Sequence, residues 1–95
     1  MKDQSYVDPI NYGLYANCGP ILNKAKNVVS FGEQNLAVLE KFRLCSKTKQ
    51  IRILLSSLSI KMQHYERYPN PGLCMVLRDS AVTTEQEIWK SAYVL

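Results

Sequence analysis

Ninety-five residues, 46% of them AVILMFWYC and 21% charged, fit one globular domain and argue against disorder. Four Gly, four Pro and no repeated period exclude collagen-like, low-complexity and solenoid architectures. The net charge is +4, and the longest apolar run, Leu73 to Leu77, is too short to span a bilayer.

Met1 to Tyr6 hold an early acid with no apolar stretch behind it, so a secretory signal is not expected. Cys18, Cys45 and Cys74 are odd in number, widely spaced and free of any C-x-x-C pair. Reduced, buried thiols and a cytoplasmic setting are therefore expected, in a cell or as a phage or virus product made inside one. With His64 the cysteines give four candidate metal ligands, none at ligand spacing, and neither a metal nor a cofactor is expected.

Residues 1–19 carry Asp8-Pro9, Asn11-Tyr12-Gly13 and Cys18-Gly19-Pro20, which are turn signals. Tyr6, Val7, Ile10, Tyr12, Leu14 and Tyr15 are too apolar for a loose tail, so the segment reads as an ordered arm lying on the remaining domain, residues 20–95, or on a neighbouring subunit. Pro20 suits the first position of a helix. Ile21, Leu22, Ala25, Val28, Val29, Leu36, Leu39 and Phe42 then keep helical spacing and predict one long helix to about Leu44. Ser30-Phe31-Gly32-Glu33 has the spacing of a capping box, a competing sign of a break at Gly32. Alternatively, Gly32 marks a close crossing of helices.

A second helix is expected from Ser46 or Thr48, with Ile51, Leu54, Leu55, Leu58, Met62 and Tyr65 on its inner stripe. Ile53 and Ile60 lie off that stripe, which points to an outside partner and to a homo-oligomer held through these two residues and the N-terminal arm. Tyr68 to Gly72 stops the helix. Leu73 to Leu77 reads as a helical turn opening at Asn70-Pro71 or as an extended packed segment. Thr83 and Thr84 each begin a capping box, so a shorter helix is expected from there with Ile88, Trp89, Ala92 and Tyr93 inward. The expected fold is all-α: an antiparallel hairpin of two long helices, a shorter C-terminal helix and the N-terminal arm.

Catalysis is not expected. The chain has no G-x-S-x-G, P-loop, H-E-x-x-H or dinucleotide fingerprint. Glu85 and Glu87 point to different sides of a helix, and His64 near a helix end fits a structural cation. The cations near Cys45 are thin support for a nucleophile without a placed base.

From Lys41 to Arg52 five cations fall without one acid: Lys41, Arg43, Lys47, Lys49 and Arg52. Lys41 and Arg43 complement the negative end of the first helix. Lys47, Lys49 and Arg52 stand where the second helix dipole disfavours cations. Together with free N–H groups they describe a phosphate site. Aromatic residues beside cations extend the candidate set to Tyr12 with Lys26, and to Arg67 between Tyr65 and Tyr68. The expected ligand is phosphate-bearing, a nucleic acid or nucleotide. An acidic protein surface is the alternative partner. The alternative functions are a protein-interaction factor, such as a small phage- or virus-type inhibitor of a host protein, or a structural subunit of a larger assembly.

Overall fold

The computed structural model describes residues 18–94, with side chains as far as Ser91. The N-terminal arm, Tyr12 included, and the side chains of Ala92 and Tyr93 lie outside the described residues. Those residues form three helices and no strand: α1 (Cys18–Lys41), α2 (Cys45–Arg67) and α3 (Pro71–Val94). Each helix packs against the other two. No helix among them is long and apolar enough to cross a membrane.

α1 runs unbroken through Gly32 because that glycine sits at the crossing of all three helices. A Cβ there would meet Leu55 Cδ2 at 2.6 Å and Ile88 Cδ1 at 2.9 Å. The Ser30–Glu33 spacing therefore caps nothing. α1 also starts earlier than Pro20, with Pro20 in the first turn where its missing N–H leaves no bond unmade.

The helix stops at Lys41, three residues short of the expected end. Leu44 N–H donates to Leu39 O and Arg43 N–H to Glu40 O, both at 3.0 Å. This is the bonding of a Schellman end, with Arg43 at the position usually given to glycine and φ at 59°. Leu44 folds back onto the core. Phe42, expected inside as the last member of the stripe, is 62% exposed.

α2 begins at Cys45, not Ser46 or Thr48, and its cap residue Leu44 offers no side-chain acceptor. Thr48 is buried and donates its hydroxyl to Cys45 O at 2.8 Å instead of capping. Ile51, Leu55, Leu58 and Tyr65 are buried as the stripe requires, whereas Ile53 and Ile60 are 60% and 65% exposed.

The final third is one helix as long as α1, neither a shorter one nor an extended segment leading into it. Asn70 caps α3 by accepting from Leu73 N–H at 2.8 Å, and Pro71 takes the first helical position. Its buried stripe is Cys74, Leu77, Ala81, Thr84 and Ile88. Thr84 lies mid-helix and donates to Ser80 O at 2.7 Å, so the Thr83 and Thr84 capping boxes are not used. Trp89 is not inward-facing: it is 45% exposed, with its ring 5.2 Å from that of Phe31.

The thiol expectation is overturned. Cys18 and Cys74 form a disulfide between the starts of α1 and α3, with Cα atoms 5.7 Å apart. Only Cys45 is free, and it is exposed. Disulfides persist in oxidising compartments, so this pair removes the thiol argument for a cytoplasmic setting.

Candidate nucleic-acid interface

Salt bridges fix which ends of the bundle meet. Arg52 pairs with Glu40, so the start of α2 lies beside the end of α1. Lys26 pairs with Glu66 at 3.5 Å, so the end of α2 lies beside the start of α1. The disulfide belongs to that second end, and the basic turn to the first.

Among the described residues five cations have carboxylate partners. These are Lys24 with Glu85, Lys26 with Glu66, Arg52 with Glu40, Arg78 with Asp79 and Lys90 with Glu87. Lys61 donates to the hydroxyls of Ser57 and Ser80. Lys41, Arg43, Lys47, Lys49 and Arg67 make no ion pair among the described residues, and the first four follow one another through the turn. Thr48 N–H donates to Leu44 O, which leaves the N–H groups of Cys45, Ser46 and Lys47 at the open end of α2.

Arg43, Lys47 and Lys49 lie at the α1–α2 turn or in the first residues of α2, and Lys41 and Phe42 lie beside them in the chain at the end of α1. Lys47 is half-buried; the others are exposed. Arg52 is nearby but engaged by Glu40. Lys26 and Arg67 sit at the opposite end, and Tyr12 lies outside the described residues. Of the tyrosines flanking Arg67, Tyr65 is buried and Tyr68 is exposed, its ring 5.5 Å from that of His64.

Phe42 is the site residue that sequence periodicity misplaced. The three-to-four spacing carries it into the core only if the helix continues, and the left-handed Arg43 ends the helix first. No sequence sign announces that turn, because its usual glycine is absent.

A second surface lies along α2. A shallow groove of about 460 Å³ is lined by Arg52, Ile53, Ser56, Ser57, Ile60 and Lys61. A neighbouring groove of about 440 Å³ shares Arg52, Ser56 and Ile60 and adds Val29, Glu33 and Leu36 from α1.

No protein-family model, curated protein or solved structure matches this chain.

Proposed function

We propose that this chain is a non-catalytic binding protein whose basic turn takes a phosphate-bearing polyanion. The observation that carries the reading is the contrast in charge pairing. Among the described residues Lys24, Lys26, Arg52, Arg78 and Lys90 are matched with acids, whereas Lys41, Arg43, Lys47 and Lys49 follow one another through the turn without one. Lys61 and Arg67 are the other two cations with no acid partner, and they are isolated. Of the turn cations, Lys47 and Lys49 lie in the first five residues of α2, where free N–H groups favour an anion and the dipole disfavours a cation. A bound phosphate would reverse that penalty. In this reading α1 and α2 work as an antiparallel hairpin with its turn as the binding surface. An acidic protein surface is the competing ligand.

Titrating inorganic polyphosphate, a short oligonucleotide and a nucleoside triphosphate at low and moderate salt tests the proposal. The polyanions should bind with a steep salt dependence, and the mononucleotide should bind more weakly. Replacing Lys47 and Lys49 by Ala should reduce the slope on a single strand by about 0.7 for each phosphate no longer neutralised. Failure of every phosphate ligand at low salt would overturn the reading.

Ile53 and Ile60 favour a second activity, self-association through the outer face of α2. Two large aliphatic side chains are exposed there beside a groove, and Ser56 between them leaves room for a neighbouring helix. Light scattering should then give an oligomer that changing both isoleucines to Lys dissociates without loss of helix. A monomer mass at micromolar concentration contradicts this second reading.

A further inference from the structure

We infer that the polyanion is single-stranded nucleic acid, with Phe42 as the platform on which a base stacks; the inference rests on the phosphate reading of the turn. Phe42 is the most exposed aromatic side chain among the described residues, at 62%. It stands between Lys41 and Arg43 in the chain, and Val38, one turn earlier, is also exposed. The bonds of Leu44 to Leu39 and of Arg43 to Glu40 hold the backbone on either side. Phe42 is therefore displayed by an ordered turn.

The combination discriminates among phosphate ligands. A duplex hides its base faces within its own stack, so an exposed phenyl ring gains nothing from it. A nucleotide brings a base but too few phosphates to engage cations spread from Lys41 to Lys49. A single strand supplies several phosphates and open base faces together, which is the chemistry of a cationic track with an aromatic platform. An anionic lipid surface would also accept cations around an apolar side chain, and the test separates it.

The measurement is fluorescence anisotropy with a deoxythymidine oligonucleotide and its duplex with deoxyadenosine. Sedimentation with vesicles of phosphatidylcholine and phosphatidylserine in equal parts runs beside it. The wild type should prefer the single strand. Phe42→Leu keeps an apolar side chain but removes the ring face, and should weaken single-strand binding on the order of tenfold. Its salt slope and duplex binding should stay unchanged, and Phe42→Trp should restore the affinity. Thermal denaturation of these variants should match the wild type because the side chain is outside the core.

Equal binding by Phe42→Leu and wild type overturns the inference. If Lys47→Ala and Lys49→Ala still weaken binding in that case, the polyanion reading survives and only the stacking platform falls. Vesicle binding without oligonucleotide binding overturns the inference in favour of a membrane surface.

Discussion

Arg43 carries two opposed contributions. Its left-handed backbone costs a non-glycine residue about 1 kcal/mol, and the Schellman bonds hold it there. Arg43→Gly should therefore raise the unfolding free energy by roughly 0.5–1 kcal/mol in urea denaturation. The same substitution should weaken polyanion binding, because it deletes one cation of the turn. A variant both more stable and weaker in binding would show that the arginine is kept for its side chain. Gly32 shows the reverse logic. Gly32→Ala gains about 1 kcal/mol of helix propensity but crowds Leu55 and Ile88, where overpacking costs about 1–3 kcal/mol. A net loss near 1 kcal/mol is expected, and it should shrink in an Ile88→Val background, which lacks the nearer Ile88 methyl.

Helix by helix, legibility followed the purity of the apolar stripe. α2 reads clearly because Ile51, Leu55, Leu58 and Tyr65 are large, regularly spaced and buried. The inner stripe of α3 is Cys74, Leu77, Ala81, Thr84 and Ile88, in which small and polar residues fill slots that periodicity looks for as Leu or Val. A buried threonine satisfied by Ser80 O is indistinguishable in sequence from the capping threonine that it resembles. Asn70-Pro71 was the true start of α3, and Asn70→Ala should lower stability by about 1 kcal/mol through loss of the cap. The disulfide was illegible for a different reason. Cys18 and Cys74 are 56 residues apart, and only the folding of α1 and α2 brings the starts of α1 and α3 to the same end. Closing so long a loop restricts the unfolded chain by about 4 kcal/mol, so reduction or Cys74→Ser should lower stability by a comparable amount. Denaturation curves recorded with and without a thiol reductant check this directly.

At the scale of the whole molecule, five of the described cations are paired with acids, and four of the six that are not, Lys41, Arg43, Lys47 and Lys49, fall at the turn, with Lys61 and Arg67 elsewhere. The basic run from Lys41 to Arg52 was visible in the sequence, and so was its conflict with the α2 dipole. Which cations acids already hold was not visible, because the partners of Arg52 and Lys26 come from another helix. The exposure of Phe42 was hidden for a different reason, the left-handed turn at Arg43 that ends α1 without a glycine. Exposed pairs such as these contribute little stability, so removing their cations should leave the fold intact.

That division gives the most direct test of a binding surface at the turn. Lys47→Ala with Lys49→Ala, and Lys26→Ala with Arg67→Ala, remove the same net charge from opposite ends of the bundle. Oligonucleotide affinity measured at a fixed low salt should fall about tenfold or more for the turn variant, with a shallower salt slope. The variant at the disulfide end should bind nearly as the wild type does. Equal losses from the two variants would mean that overall charge alone attracts the ligand, and would contradict a dedicated site at the turn.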